Sequence, residues 1–271
     1  MKGPLLLVGC GKMGGALLQG WLERDIIDRG AIVIEPNEDA VEPFALQSGI
    51  TILGRPDDIP TETKPAVVVL AIKPQMMDDA IGSYRRFAKP GTLFLSIAAG
   101  KTIAYFERHL GAEAAIVRSM PNTPAAVGRG ITVWSANARV DDEQRRLTQL
   151  LLEAVGEVAV VNDETLLDAV TAVSGGGPAY VFLLIECLAE AGAKAGLPAD
   201  LAMRLARATI SGAGELARLS SEPAAQLRQN VTSPKGTTFE ALKILMAEDG
   251  IQPLFTRAIA AATQRSRELA S

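Results

Sequence analysis

Up to Asn162 the chain alternates between short apolar runs and stretches with helical periodicity. The runs are rich in leucine or β-branched residues, as in parallel strands that are buried on both faces. The predicted strands are Leu5–Val8, Ala31–Glu35, Ile50–Leu53, Ala66–Ile72, Thr92–Ile97, Ala115–Arg118, Ile131–Trp134 and Glu157–Val161. The predicted helices between them begin at Met13, cover Gln75–Phe87, begin at Thr102, and lie near Asp142–Val155. This alternation predicts an α/β fold with a doubly wound parallel sheet.

From Asp163 onward the pattern is helical only. The predicted helices are Glu164–Val173, Ala179–Ala195, Ala199–Leu219, Pro223–Gln229, Thr237–Glu248 and Leu254–Leu269. We therefore divide the chain into an α/β domain, residues 1–162, and an all-α domain, residues 163–271. The helix Ala179–Ala195 is apolar on more than one face, which is typical of a helix buried all round. A domain this small cannot cover such a helix alone, so the sequence predicts a homodimer with intertwined helical domains.

A glycine motif joins the first strand to the first helix. Gly9, Gly11 and Gly14 match G-x-G-x-x-G with a strand before and a helix after, the context that the motif requires. Gly9 allows a sharp turn, Gly11 lets a pyrophosphate approach, and Gly14 lets helix and strand pack closely. Free N–H groups at the start of the helix favour an anion. The motif predicts dinucleotide binding; the alternative is a glycine-rich turn of an ordinary α/β domain.

Other candidate residues lie in loops that follow predicted strands. Glu35 ends the second strand about 20 residues after the motif, where an acid binds the ribose of a dinucleotide. Ala71–Pro74, Ala98–Gly100 and Pro121–Pro124 follow later strands, and the carboxyl ends of parallel strands meet at one edge of the sheet. We expect these loops to surround one ligand crevice, although each alone would be an ordinary strand-to-helix turn.

Two loops of the helical half are also candidates. Ser174–Pro178 (SGGGP) holds three successive glycines, which favours close approach of backbone to another group over a plain link between helices. Asn230–Thr238 (NVTSPKGTT) precedes a helix, and its hydroxyls and free amides suit a carboxylate. The alternative for the second loop is a Ser/Thr-rich helix cap with no ligand.

Composition narrows the classes of function. A net charge of −4 without a basic block argues against nucleic acid as a partner. Two cysteines, Cys10 and Cys187, make no disulfide framework and indicate a reducing cytoplasm. His109 is the one histidine, so neither a histidine-based catalytic dyad nor a metal site is expected. The N-terminus does not have the pattern of a signal peptide, and the longest apolar run, Ala179–Ile185, is too short to cross a membrane.

These segments together resemble pyrroline-5-carboxylate reductases over essentially the whole chain. The most specific are Asp168–Thr171 with Ser174–Tyr180, and Asn230–Leu242; Ala71–Pro74, Ser96–Gly100 and Met120–Pro124 add to them. The resemblance implies an N-terminal Rossmann domain and a C-terminal all-α dimerisation domain, often with dimers assembled into a ring. It also implies reduction of the cyclic imine 1-pyrroline-5-carboxylate to L-proline, the final step of proline biosynthesis, with NAD(P)H, usually NADPH.

The resemblance assigns roles to residues of the predicted loops. Cofactor binding is expected at Gly9, Cys10, Gly11, Lys12, Met13, Gly14, Glu35, Asn37, Ala71, Ile72, Lys73, Pro74, Ala98, Ala99, Gly100, Asn122 and Asn230. Substrate binding is expected at Glu164, Ser174, Gly175, Gly177, Asn230, Ser233, Pro234, Gly236, Thr237 and Thr238. Thr238 is the candidate catalytic residue, as proton donor or hydrogen-bond partner of the ring nitrogen. Two positions depart from the family pattern: Gly176 stands where a serine is usual, and Lys235 where a glycine is usual.

The cofactor preference is predicted separately from charge. The segment Glu35–Asp39 carries three acids and no base, so a 2′-phosphate would face like charge there, whereas Glu35 can accept a bond from a ribose 2′-OH. Arg55 is the nearby residue that could bind a phosphate. We therefore expect weaker discrimination against NADH than the resemblance implies.

Two other functions fit parts of the sequence. A β-hydroxyacid dehydrogenase shares the two-domain plan, but members of that family resemble one another in a lysine after the first glycine loop of the helical domain. This chain has no lysine between Lys101 and Lys194. A dinucleotide-binding regulator without catalysis is the second alternative, and the largely intact Asn230–Thr238 loop argues against it.

Overall fold

The computed structural model describes residues 2–270 and divides into two compact units, Met1–Gly175 with Ala262–Ser271, and Gly176–Ala261. The first unit contains an eight-stranded sheet of order β3-β2-β1-β4-β5-β6-β7-β8. Its strands are β1 Leu5–Val8, β2 Ala31–Ile34, β3 Ile50–Leu53, β4 Val67–Leu70, β5 Leu93–Ser96, β6 Ala115–Met120, β7 Gly130–Ala136 and β8 Gly156–Val160. Eight strands were expected in these places, and each is present with ends that shift by a few residues.

One strand connection differs from the expectation of a fully parallel sheet. β7 runs antiparallel to β6, and β8 is parallel to β7, while the other neighbours are parallel. A parallel crossover requires a dozen or more residues, and only the short stretch with the 3₁₀ helix Thr123–Val127 separates β6 from β7. The chain therefore turns back beside β6. The sheet is mostly parallel.

Helices cover both faces of the sheet, as a doubly wound fold requires. The helices of the first unit are α1 Lys12–Glu23, α2 Glu38–Val41, α3 Met77–Ala80, α4 Ile103–Leu110, α5 Asp142–Glu153 and α6 Leu166–Val170, with short 3₁₀ segments between them. Alternate residues of each central strand face opposite sides. Leu5, Leu7, Val67 and Val69 share one core with Trp21 of α1; Leu6, Val8, Val68 and Leu70 share the other with Phe106 of α4.

Two predicted helices are interrupted. The helix expected over Gln75–Phe87 is a 3₁₀ turn at Pro74–Met76, one α-helical turn, and a 3₁₀ helix over Ile81–Phe87. Gly82 lies inside this stretch, and glycine lowers α-helix propensity. The helix expected over Glu164–Val173 is α6 followed by a π-helix over Thr171–Gly175, a form that is frequent at functional sites.

The second unit is helical. It holds α7 Gly177–Lys194, α8 Ala199–Leu219, α9 Ala224–Asn230, α10 Thr237–Leu245 and the first part of α11 Ile251–Ala270. Helices α7 and α8 pack through small residues, including Ala189, Ala202 and Ala206, which are buried. The larger apolar side chains of α7 are exposed in the single chain, among them Val181, Phe182, Leu183, Leu184 and Leu188. The predicted all-round burial of α7 therefore requires a second chain.

The same stretch has a second physical property. By length and mean hydropathy alone, Leu166–Lys194 would suffice to cross a membrane, a test that a core helix of a soluble protein also passes. The apolar run Ala179–Ile185 is too short to cross a membrane, as expected. The longer helical stretch Leu166–Lys194 is not too short by this test.

Candidate active site

The glycine loop between β1 and α1 is built so that two positions exclude side chains and one leaves space. Gly9 has φ +91°, and a Cβ there would lie 2.8 Å from the carbonyl oxygen of Ala71. A Cβ on Gly14 would lie 2.2 Å from the carbonyl oxygen of Gly9, so helix and strand pack as closely as predicted. A Cβ on Gly11 would meet nothing within 4 Å. The loop thus presents open backbone at the start of a helix, which fits a pyrophosphate.

Glu35 connects two of the predicted cofactor loops. Its Oε2 accepts a hydrogen bond from the Cys10 N–H at 2.8 Å, and its Oε1 accepts one from the Asn37 N–H at 3.0 Å. Asn37 in turn begins α2, where its side chain accepts from the N–H of Asp39. Burial, with a contribution from the nearby Glu35 charge, raises the pKa of the Cys10 thiol to about 11, so Cys10 is a protonated filler at neutral pH.

The loops after β4 and β5 follow the next two strands beyond β1 in the sheet, and the β4 loop lies against the glycine loop. The Ala71 N–H donates to the carbonyl of Val8 at 2.7 Å, which brings Ala71 against the glycine loop, and Ile72 follows it. Lys73 is exposed, and Pro74 is the first residue of the 3₁₀ turn. In the β5 loop, Ala98 is buried, Ala99 partly so, and Gly100 has φ +74°. A Cβ on Gly100 would lie 3.0 Å from the carbonyl oxygen of Leu269.

Asn122 and Ser174 bring a predicted cofactor residue and a predicted substrate residue together. The Asn122 Nδ2 donates to the Ser174 Oγ at 3.2 Å, and its Oδ1 accepts from the Ile131 N–H at 2.9 Å. A Cβ on Gly175 would lie 2.6 Å from the Met120 Cε. That atom is the end of a flexible side chain, which can move aside, so the close backbone approach that the three glycines suggested stays a prediction.

Sequence reasoning missed Arg118, which lies on β6 and is buried. Its NH1 lies 2.9 Å from the Glu164 Oε1, and its NH2 lies 3.8 Å from the Asp168 Oδ1. Glu164, predicted to line the substrate site, is therefore committed to an ion pair. The available signal was a charge inside an apolar strand, because a buried arginine requires a paired carboxylate.

The hydroxyl-rich loop belongs to the second unit. Asn230 ends α9, where its Nδ2 donates to the Glu222 Oε2 at 2.9 Å and its Oδ1 accepts from Gln226. Glu222 was not among the predicted residues. The Gly236 N–H donates to the carbonyl of Ser233 at 3.0 Å, which closes a turn through Pro234 and Lys235. Lys235 has φ +59°, a conformation that glycine adopts more readily.

Helix α10 begins directly after this turn, with Gly236 as its N-cap. Thr237 and Thr238 occupy its first turn and are exposed, so their hydroxyls and the free amides of the turn face outward. Gly177, the remaining predicted residue, opens α7, and a Cβ there would meet nothing within 4 Å. This arrangement can bind a carboxylate through backbone N–H groups. No group of three or more His, Cys, Asp or Glu side chains in residues 2–270 is placed to hold a metal ion.

Comparison with known proteins covers both units. Residues 164–269 match the family model described as pyrroline-5-carboxylate reductase dimerisation, and residues 5–100 match the model described as NADP oxidoreductase, coenzyme F420-dependent. The chain is 38% identical to the pyrroline-5-carboxylate reductase of Pseudomonas aeruginosa over 266 residues, which are 98% of this chain and 96% of the relative. The chain belongs to the pyrroline-5-carboxylate reductase family.

Further relatives agree with this membership. The pyrroline-5-carboxylate reductase of Pisum sativum is 36% identical over 97% of this chain and 94% of its own length. The structure of the Coxiella burnetii reductase has a TM-score of 0.91 at 33% identity, with 100% of both chains covered. The Plasmodium falciparum pyrroline carboxylate reductase, solved with NADP bound, has a TM-score of 0.82 at 29% identity over 99% of this chain and 98% of its own.

Family membership explains the exposed side chains of α7. The helix lies inside the stretch that matches the family's dimerisation domain, and a second chain can cover its apolar surface. The members of this family are NAD(P)-dependent oxidoreductases, and the chain is an enzyme of this class that acts on a small molecule as a dimer.

Proposed function

We propose that the chain reduces 1-pyrroline-5-carboxylate to L-proline with NAD(P)H. The observation that carries the proposal is the likeness to reductases of that name over nearly the whole chain, which includes the glycine loop and the Asn230–Thr238 loop. The proposal includes a cofactor-binding domain over residues 1–162, a helical domain over 163–271, and a cytoplasmic location, which two free cysteines support. It also includes association of dimers into a ring.

The reaction suits the groups that the chain offers. An imine nitrogen is basic enough to carry a proton near neutral pH, so the chemistry requires positioning more than a strong acid. The bound reduced nicotinamide supplies the hydride. The amides at the start of α10, with Ser233, hold the substrate carboxylate. The Thr238 hydroxyl bonds to the ring nitrogen, either as acceptor from the protonated imine or as proton donor to the unprotonated one. Asn230 links this loop to the cofactor, and Glu222 fixes the Asn230 amide.

The cofactor is held by the loops at the carboxyl ends of the strands. Backbone N–H groups after Gly11 bind the pyrophosphate, because the first turn of α1 carries no acid and the loop has open space. Glu35 accepts from a ribose hydroxyl. The loops at Ala71–Pro74 and Ala98–Gly100, with Asn122, position the nicotinamide end. NADP is the expected cofactor, and the acids near Glu35 favour use of NAD as well.

A substrate panel tests this function against its rivals. We expect oxidation of NAD(P)H with 1-pyrroline-5-carboxylate, slower oxidation with other cyclic imines, and no NAD(P)+ reduction with 3-hydroxy acids. Turnover of a 3-hydroxy acid would instead support a β-hydroxyacid dehydrogenase. Cofactor binding without turnover of any of these compounds would support a non-catalytic regulator.

Replacing Glu35 tests the cofactor preference. In Glu35→Ser we expect the ratio of kcat/KM for NADPH to that for NADH to rise roughly tenfold, because a charge that repels a 2′-phosphate is removed. Glu35→Gln is the matched variant, since it keeps the shape and an acceptor for one of the two N–H groups. The measurement is steady-state kinetics with both cofactors. A wild type that prefers NADPH by orders of magnitude, with no change in either variant, would contradict the electrostatic argument.

Replacing Lys235 separates a substrate contact from a solvated side chain. Its left-handed backbone conformation suits glycine, so we expect Lys235→Gly to raise the free energy of unfolding by up to about 1 kcal/mol. We also expect KM for the substrate to stay unchanged, because backbone amides supply the anion binding. Thermal unfolding and kinetics measure the two effects. A raised KM that added salt partly reproduces in the wild type would show that Lys235 contacts the carboxylate.

A further inference from the structure

Arg118 is a buried cation on the strand that leads into a cofactor loop. Its exposed fraction is 4%, and in the sheet it lies beside Ser96 of β5 and Ser135 of β7. Two carboxylates balance its charge, Glu164 at 2.9 Å and Asp168 at 3.8 Å. The short distance to Glu164 makes a charge-assisted hydrogen bond, which is stronger than a neutral one. Arg118 therefore fixes the position of the Glu164 carboxylate.

Glu164 also binds the first residue of α4. The same oxygen, Oε1, accepts a hydrogen bond from the N–H of Ile103, the first residue of α4, at 2.8 Å. A carboxylate at this end of a helix also favours the helix dipole. The predicted cofactor loop Ala98–Gly100 precedes α4, with Lys101 and the N-cap Thr102 between them. The Arg118–Glu164 pair thus holds the end of that loop.

The network reaches two further segments of the candidate site. β6 continues from Arg118 into Asn122, whose amide donates to Ser174. Asp168 lies on α6, which leads through the π-helix to Ser174, and its Oδ1 accepts from the Ser266 Oγ at 2.7 Å. Asp168 and Ser266 are both buried. One guanidinium therefore joins the elements that carry the Ala98–Gly100 loop, Asn122 and Ser174.

We propose that Arg118 and Glu164 are positioning residues for the reaction: together they hold the three loop segments in the arrangement that binds the nicotinamide end of the cofactor. The proposal rests on the proposed function. Glu164 acts through the Ile103 N–H and has no direct contact with the substrate. This role differs from a stabilising ion pair, because its loss moves loops that bind ligand.

The test compares Arg118→Lys, Glu164→Gln and the double variant. Glu164→Gln keeps an acceptor for the Ile103 N–H but loses the charge that Arg118 binds, and Arg118→Lys keeps the charge but loses the guanidinium fork. We expect each single variant to raise the dissociation constant for NADP(H) and to lower kcat/KM roughly tenfold. The double variant should be no more impaired than the more impaired of the two single variants, because both changes break the same interaction. Without ligand, amide hydrogen exchange of peptides spanning 98–103 should speed up in all three.

Thr92→Val is the matched control. Thr92 is buried just before β5, and its Oγ1 donates to the Pro65 carbonyl at 2.9 Å, away from the carboxyl ends of the strands. We expect this variant to lower Tm and to leave the dissociation constant for NADP(H), kcat and KM within twofold of the wild type. This variant shows how the loss of a buried hydrogen bond affects stability and kinetics when the cofactor loops are not displaced.

Two outcomes would overturn the proposal. The first is that Glu164→Gln loses activity while Arg118→Lys behaves like the wild type. This result would mean that Glu164 contacts the substrate directly. The other is that both variants change only Tm, as the control does. If Arg118→Lys does not fold, Glu164→Gln decides by the dissociation constant for NADP(H) and by exchange at 98–103. If the wild type fails to reduce the imine, the proposed function fails, and those two measurements still test the positioning role.

Discussion

Replacing Thr238 with alanine is expected to lower kcat/KM for 1-pyrroline-5-carboxylate by roughly 10²-fold, the size of a general acid contribution. Thr238 lies in the first turn of α10, exposed beside the free amides to which we assign the substrate carboxylate. Its hydroxyl is the group of this loop that we assign to the ring nitrogen. Steady-state kinetics measures the loss, and a fluorescence titration measures NADPH binding.

The controls for this variant separate the hydroxyl from the loop. Thr238→Ser keeps the hydroxyl and should retain most of the activity. The dissociation constant for NADPH should change little in either variant, because the glycine loop belongs to the other compact unit. Full activity of Thr238→Ala would remove the Asn230–Thr238 loop from the substrate site.

Placing a charge on α7 is expected to abolish the dimer. Phe182 is 60% exposed in the single chain and lies in the stretch that matches the dimerisation domain of the family. Burial of a phenylalanine contributes about 1.5–3 kcal/mol to the stability of the dimer. In a two-fold symmetric dimer, both copies of Phe182 make this contribution. A buried unpaired carboxylate costs several kcal/mol more. In Phe182→Glu we therefore expect no dimer in sedimentation at low micromolar concentration, together with loss of folded, active protein.

Leu46→Glu is the matched control for this experiment. Leu46 is fully exposed and lies in the first unit, outside the stretch that matches the dimerisation domain. The same change of charge there should leave a folded, active dimer. A wild type that sediments as a well-folded, active monomer would contradict the requirement for a second chain, as would a Phe182→Glu variant that remains dimeric.

Local patterns predicted most of the fold. The strands from Leu5–Val8 to Gly156–Val160 were visible because each is a short apolar run bounded by turn residues. The glycine motif predicted the sharp turn at Gly9, which has φ +91°, and the tight packing at Gly14, where a Cβ does not fit. The apolar pattern of β7 does not predict its direction, because parallel and antiparallel strands can have the same pattern. The short connection between β6 and β7 is the feature of the sequence that indicates an antiparallel strand.

The contacts between distant residues could not be predicted in the same way. Arg118, Asp168 and Ser266 are far apart in sequence and meet only when β6, α6 and the end of α11 pack in one unit. The return of Ala262–Ser271 to the first unit is likewise a tertiary effect, as is the extent of that unit to Gly175. The division at 162/163, which was drawn from the end of the strand pattern, stays a prediction about the cofactor-binding and helical domains.

The roles of individual site residues also stay predictions. The structure brings Cys10, Glu35 and Asn37 together, and it joins Asn122 to Ser174. These hydrogen bonds stabilise the loops, and a residue that binds a ligand and one that only holds its loop give the same pattern in the sequence. Substitutions that keep the fold and change one ligand parameter are therefore the informative ones.

The most direct measurement of the central claim is the stoichiometry of product to cofactor. The wild-type protein is incubated with 1-pyrroline-5-carboxylate and NADPH, and L-proline is quantified by chiral amino-acid analysis while NADPH oxidation is followed by absorbance. We predict one L-proline formed for each NADPH oxidised, and no proline without the protein. Absence of proline, or NADPH oxidation that does not depend on the imine, would contradict the assignment as a pyrroline-5-carboxylate reductase.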